Sequence, residues 1–304
     1  MVIRDKTKVP CTALARPWTL CLIRRMDSLM PDTPPTAVPL PKTTPQSLKT
    51  PRFLSLRTIT ALVLREMEST YGRQPGGYVW AVLQPIGMIV LLSLAFGILV
   101  NKPPLGTSFI FFYAIGYLPF DMYGSLTSKI SAALNYSHSL LSYPRVTWMD
   151  AILARFILTV LTQVTVFCIV VISIMMLYET HSHFQLIPVM QGLGMAATVG
   201  LGVGLMNCML SGLFPVWTTI YGILSRPLFL ASGVLFLPDH MPRGVQEVLW
   251  WNPLIHIIGL VRRGFFPTYD ASFVSLYYGY GFGLVLIVIA LIFLQAYYKK
   301  ILQL

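Results

Sequence analysis

Leu284-Val-Leu-Ile-Val-Ile-Ala-Leu-Ile292 is an unbroken apolar run inside a longer segment bounded by tyrosines. A lipid-facing barrel strand alternates polar and apolar residues over about ten positions. This run does not alternate, and neither does Ile169-Val-Val-Ile172. Continuous apolarity over hydrocarbon length is the signature of a helix that satisfies its own backbone in oil. Working outward, six segments of this kind can be marked: Tyr78 to Val100, Ser108 to Ser128, Trp148 to Tyr178, Pro188 to Ser211, Trp217 to Leu237 and Tyr277 to Tyr298. Each reaches the roughly 20 residues that cover about 30 Å of hydrocarbon. The third exceeds that length, which predicts tilt or projection beyond the lipid.

Composition agrees. Hydrophobic types make up 55% of the 304 residues and charged types 11%, where a soluble domain carries about a quarter charged residues. Several segment ends bear an aromatic ring suited to headgroup depth, among them Trp148, Tyr178, Trp217 and Tyr298. The net charge of +11 reads as basic cytoplasmic loops facing anionic lipid, not as a nucleic-acid surface. Cys11, Cys21, Cys168 and Cys208 are scattered and form neither a disulfide framework nor a metal cluster.

Residues 1–51 read as a poorly ordered extension, because Pro31, Pro34, Pro35, Pro39, Pro41, Pro45 and Pro51 remove backbone donors. They could equally precede a later start such as Met26 or Met30, and no cleavable leader is evident. From Phe53, apolar residues at Leu56, Ile59, Val63 and Met67 fall on one helical face. Residues 52–76 therefore read as an amphipathic helix lying along the cytoplasmic interface, and 77–304 as the transmembrane domain.

Lys and Arg placement sets the orientation. Lys49, Arg52, Arg57, Arg65 and Arg73 precede the first segment, Lys129 and Arg145 lie between the second and third, and Lys299-Lys300 follow the sixth. The positive-inside rule puts all of these, and both termini, in the cytoplasm.

Residues 238–275 are too apolar for a free loop and too interrupted to span. Two short helices broken near Asn252-Pro253 and dipping into the outer leaflet fit that pattern; a compact external hairpin is the alternative. The fourth segment carries Gly192, Gly194, Gly200, Gly202 and Gly204, which predicts close helix packing.

No catalytic constellation is present in the sequence: no GxxxxGK[ST] phosphate loop, no HExxH and no CxxC. His181 and His183, one residue apart, are a weak metal pattern, and no metal site is assigned. Two ionisable residues fall inside apolar segments, Asp121 and Arg226. A charge there costs roughly 2.5–3.5 kcal/mol on insertion scales, so each should face protein or a polar route, and the two could pair. Aromatic residues are plentiful enough to line a carbohydrate conduit, since sugar CH faces stack on rings. Candidates are Tyr113, Tyr117, Tyr123, Trp250, Trp251, Tyr277, Tyr278 and Tyr280.

Four stretches together form a recognisable pattern. Tyr71-Gly72-Arg73 ends the interfacial helix, and Gly77-Tyr-Val-Trp-Ala-Val-Leu-Gln-Pro85 opens the first segment. Leu140-Leu-Ser-Tyr-Pro-Arg-Val146 follows the second segment, and Trp251-Asn-Pro-Leu254 with Val261-Arg-Arg-Gly264 lies between the fifth and sixth. Over about residues 53–304 the chain resembles ABC-2 type permeases of the polysaccharide-export group, most closely the inner-membrane permease of Gram-negative capsular exporters. The proline-rich extension departs from the compact start usual for that group.

The resemblance implies an all-α integral membrane protein of the type V exporter fold, with six transmembrane helices, an N-terminal interfacial helix and re-entrant gate helices between helices five and six. It implies a homodimer in the bacterial inner membrane, paired with two copies of a separate nucleotide-binding subunit. That subunit holds ATP and Mg, so this chain binds no cofactor and is not itself an enzyme. The cargo implied is a lipid-linked capsular polysaccharide, passed to a periplasmic co-polymerase or export adaptor and an outer-membrane export protein. O-antigen, teichoic acid, another glycolipid or a small lipophilic compound remain alternative cargoes.

By the same resemblance, Asn135, Tyr136, His138, Leu141, Tyr143, Pro144 and Arg145 belong to a coupling helix seated in the ATPase. Trp250, Trp251, Asn252, Pro253, His256, Arg262 and Arg263 belong to the outer gate. Arg65, Arg73 and Arg145 guide acidic sugars or phosphate at the cytoplasmic mouth, unless they anchor to lipid headgroups. A membrane-embedded transferase and a passive channel are the competing classes; the first calls for clustered carboxylates or histidines at one face, the second for the absence of an ATPase partner.

Overall fold

A computed structural model describes residues 54–71, 76–99, 103–106, 108–134, 147–178, 184–266 and 268–301. The extension 1–51, Arg73, the coupling positions Asn135 to Arg145, and His181 with His183 lie outside the described residues.

Every regular element described is helical. In chain order these are α1 (Leu54–Tyr71), α2 (Tyr78–Leu99), α3 (Phe109–Ser131), α4 (Trp148–Leu177), α5 (Leu186–Leu213), α6 (Trp217–Leu230), a 3-10 turn (Pro238–His240), α7 (Arg243–Trp250), α8 (Pro253–Phe265) and α9 (Leu276–Ile301). Among the described residues, four stretches are long and apolar enough to cross a membrane: Tyr78–Ile98, Trp148–Leu177, Leu186–Leu213 and Leu276–Tyr298. The 23-residue α3 has the length, but Asp121, Lys129 and a run of hydroxyls make it less apolar. The molecule is a multi-span membrane helical bundle.

α5 is the hub, packed against α9, α3 and α8. Its glycines divide the labour by face. A Cβ on Gly204 would meet Ile130 of α3 at 2.9 Å, one on Gly202 would meet the Gly283 carbonyl of α9 at 2.8 Å, and one on Gly192 would meet Val261 of α8 at 2.5 Å. Small residues on three sides of one helix let three neighbours approach at backbone distance.

The fifth segment differs most from its sequence reading. Instead of running from Trp217 to Leu237, α6 stops after 14 residues at Leu230, about 21 Å of helix at 1.5 Å per residue. The Ser232 hydroxyl donates to the Phe229 carbonyl at 2.6 Å, and Gly233 takes φ +78°, a left-handed turn that glycine accepts without strain. Periodicity misses this stop because Val234, Leu235, Phe236 and Leu237 keep the apolar run going after the helix has ended.

α7 and α8 are the predicted pair of short helices, broken at Asn252. The Asn252 side chain accepts from the Leu254 N–H at 3.1 Å, capping α8. Its amide also donates to the Ala231 carbonyl at 2.9 Å, tying the break to the end of α6. α7 buries no residue, whereas α8 is buried along nearly its whole length. α4 begins with a reciprocal cap: Thr147 Oγ1 accepts from the Asp150 N–H at 3.3 Å, and Asp150 Oδ2 accepts from the Thr147 N–H at 3.2 Å.

Candidate functional site

An open groove of about 700 Å³ lies between α3 and α6, floored by α5. Each flanking helix presents a stripe at helical spacing. From α3 come Tyr117, Phe120, Tyr123, Ser128 and Ser131; from α6 come Trp217, Tyr221, Ser225, Arg226 and Phe229; α5 adds Asn207 and Ser211. The side chains bridge the gap at a few points. Tyr123 and Tyr221 join hydroxyl to hydroxyl at 3.2 Å, the Trp217 Nε1–H donates to Asn207 Oδ1 at 3.0 Å, and the Phe120 and Phe229 ring centroids lie 5.1 Å apart.

Rings with hydroxyl and amide edges, plus one guanidinium, suit a ligand with apolar faces, hydroxyl rims and scattered negative charge. Arg226 is exposed in the groove, where an acidic group can reach it.

Three of the sequence-nominated path residues, Tyr117, Tyr123 and Arg226, share this groove. The other described ones lie elsewhere. Asp121 faces a second cavity of about 230 Å³ among α2, α3 and α4, with Trp80, Gln84, Ser125, Lys129 and Gln163. Its carboxylate accepts from Gln163 Nε2 at 3.2 Å and, at 3.5 Å, from the Tyr117 hydroxyl. Asp121 and Arg226 form no ion pair: each lines its own cavity. Tyr113 is core, its ring centroid 5.5 Å from that of Phe96. Tyr277 points out from the surface at 93% exposure. Tyr280 donates to the Gln191 carbonyl at 2.9 Å. Arg65 is exposed on α1.

Tyr278 joins the residues assigned to the gate. Its hydroxyl donates to the Trp251 carbonyl at 2.6 Å, and its ring centroid lies 4.9 Å from that of Trp250 and 5.2 Å from that of His256. His256 is fully buried. Its Nδ1 accepts from the Ser275 N–H at 3.2 Å, so Nε2 carries the proton given to the Trp250 carbonyl at 2.9 Å. Burial holds its pKa below the ordinary histidine value, partly offset by that carbonyl.

The paired arginines part company: Arg263 is exposed, and Arg262 is buried. Arg262 donates to the carbonyls of Gly233 (2.8 Å), Phe236 (3.1 Å) and Val234 (2.8 Å), with its guanidinium 4.3 Å over the Phe112 ring. Burial pulls its pKa down to about 10, still cationic at neutrality.

Sequence reasoning missed Phe120, Trp217, Tyr221 and Phe229 as groove residues. The signal was present: Trp217, Tyr221, Ser225 and Phe229 recur every four residues along one helical face.

The sequence profile of the ABC-2 type transporter family matches residues 57–266. The chain is 29% identical over 234 residues to the polysialic acid transport protein KpsM of Escherichia coli, covering 77% of this chain and 91% of that one. It is 25% identical over 249 residues to the capsule polysaccharide export inner-membrane protein BexB of Haemophilus influenzae (81% and 92% covered). It is 24% identical over 246 residues to the capsule polysaccharide export inner-membrane protein CtrC of Neisseria meningitidis serogroup B, again covering 81% and 92%.

Proposed function

This chain belongs to the ABC-2 type transporter family, and from that premise we propose that it is the permease of an ATP-driven exporter of lipid-linked capsular polysaccharide. Members of the family are non-catalytic transport subunits served by separate nucleotide-binding subunits, and the chain is related to permeases of capsule and polysaccharide export. The observation that carries the cargo assignment is the groove between α3 and α6, where Tyr117, Tyr123, Trp217 and Tyr221 stand beside Arg226. Pyranose CH faces stack on such rings, hydroxyls hydrogen-bond to Ser211, Ser225 and Asn207, and Arg226 meets a carboxylate or phosphate.

In this reading the chain crosses the bacterial inner membrane six times with both termini cytoplasmic, α3 supplementing the four strongly apolar spans and α6 completing its crossing through the non-helical apolar stretch 231–237. The groove lies open on one side of a single chain, and a second copy closes it into a conduit. α1 lies along the cytoplasmic interface, and Arg65, Arg73 and Arg145 draw the acidic chain to the mouth. Residues 135–147 seat in the nucleotide-binding subunit, present in two copies, where ATP and Mg are held. α7 and α8 dip into the outer leaflet, and the Trp250, Trp251, His256 and Tyr278 cluster forms the outer closure. A periplasmic adaptor and an outer-membrane protein receive the polymer.

The test is co-purification from native membranes followed by ATPase assays with glycolipids. Recovery of an ATPase subunit whose turnover rises with lipid-linked polysaccharide is the expected result. Recovery without one, together with intact surface polysaccharide after gene deletion, overturns it.

A further inference from the structure

At the cytoplasmic end of the bundle, one side chain joins three helices. Arg155, near the start of α4, places Nη2 2.8 Å from Glu66 Oε1 of α1, with the two side chains only 8% and 16% exposed. Its Nη1 donates to the Lys129 carbonyl of α3 at 3.2 Å. That carbonyl lies in the last turn of α3, where carbonyls have no intrahelical partner and the helix dipole favours a cation. The planar fork of a guanidinium serves both acceptors from fixed directions, which a lysine ammonium on a flexible stem does not. α1 also packs along α4, although Leu64 and Met67 remain exposed, and Arg155 carries that tie on to α3.

We propose that Arg155 is a positioning residue that makes α1, the cytoplasmic end of α3 and α4 move as one body during transport. The idea rests on the exporter reading, in which the chain leaving α3 leads to the ATPase-docking segment and α1 flanks the cytoplasmic mouth. A displacement delivered at the end of α3 then reaches α1 through Arg155 and Glu66, with no need for continuous packing between α1 and α3. The pair is buried enough that solvent screens it much less than a surface pair.

The permease–ATPase complex is purified as wild type and as Glu66→Gln, Arg155→Lys and Arg155→Gln. Thermal unfolding, ATP turnover and polysaccharide exported per ATP are measured on each. Glu66→Gln and Arg155→Lys are expected to leave ATP turnover within about twofold while export per ATP falls about tenfold or more. Arg155→Lys is decisive, because it keeps the charge opposite Glu66 and loses the second arm on Lys129. A variant that exports as efficiently as wild type overturns the proposal, and so does a loss of export that merely tracks lowered thermal stability.

A cargo-independent readout separates this from the exporter reading. Spin labels at Glu68→Cys and Ala132→Cys, with the four native cysteines replaced, report the α1–α3 distance with and without ATP. A distance that holds through ATP binding in wild type and shifts in Glu66→Gln supports the rigid unit, whatever the cargo. A distance that changes with ATP in wild type refutes it. Absence of a co-purifying ATPase refutes the exporter reading instead.

Discussion

The guanidinium of Arg262 donates to the carbonyl of Val234 at 2.8 Å, across 28 residues of sequence. Together with the bonds to Gly233 and Phe236, it satisfies carbonyls of the turn that follows α6. A cation so deeply buried is costly without partners; here the partners are backbone oxygens and the face of Phe112. The end of α6 and the burial of α8 therefore depend on each other. Arg262→Met strands these carbonyls, at about 1–3 kcal/mol for each one left unsatisfied. Arg263→Met, next in sequence but exposed, should stay within about 0.5 kcal/mol. Thermal unfolding of the two purified proteins in detergent is the comparison, and equal melting temperatures would show that the Arg262 anchor carries no weight.

Two glycines on α9 make a sharper contrast. A Cβ on Gly283 would lie 3.0 Å from backbone atoms of Thr198 and Val199, whereas one on Gly281 meets nothing within 4 Å. Gly283→Ala must push α9 away from α5, an overpacking cost of about 1–3 kcal/mol. Gly281→Ala gains helix propensity of about 1 kcal/mol. Yield and melting temperature should move in opposite directions; a shared direction would mean that the α5–α9 contact yields easily.

How far these features could be read beforehand follows from their physics. Helical class, the four strongest spans and the break at Asn252 rest on local pattern, and local pattern survives into the fold. The stop at Leu230 has local parts, Ser232 and Gly233, hidden by the apolar run from Val234 to Leu237, but the arginine that secures the turn after it lies 28 residues beyond Val234, outside any local window. The Glu66–Arg155 pair is hidden for the same reason, since both residues look like ordinary interfacial charges until the helices meet. Asp121 and Arg226 illustrate the converse. Two opposite charges in apolar segments invite pairing, but α3 turns Asp121 toward α2 and α4 while Tyr117, Phe120 and Tyr123 face the groove. The groove stripes on α3 and α6 were legible as spacing; only their apposition was not.

His256 gives the outer cluster a direction in pH. Its Nδ1 accepts from the Ser275 N–H, so a second proton on the ring would face a donor and break that bond. The folded pKa lies below the ordinary value of about 6.5, chiefly through burial. The neutral ring's contribution is thus fully present above about pH 6.5 and declines as pH falls through the folded pKa. Tryptophan fluorescence from Trp250 and Trp251, followed from pH 7.5 to 5, should change on the acid side and remain flat above neutrality. In His256→Gln the acid-side change should disappear; its persistence would assign the transition to another group.

The groove makes separable predictions for Tyr221 and Arg226. Tyr221→Phe keeps the ring and removes only the 3.2 Å hydroxyl contact with Tyr123, so export should fall little. Tyr221→Ala removes the stacking face, worth about 0.5–1.5 kcal/mol, or up to roughly tenfold in affinity. The glycolipid concentration giving half-maximal ATPase stimulation should rise by that factor. Arg226→Met tests charge: the guanidinium is exposed and makes no ion pair among the described residues, so assembly and melting temperature should be unaffected. Stimulation by an acidic polysaccharide should drop, while stimulation by a neutral one of equal length should not. If both polymers lose equally, Arg226 acts through structure and the groove does not read charge; if neither changes, the polymer does not pass along this face of α6.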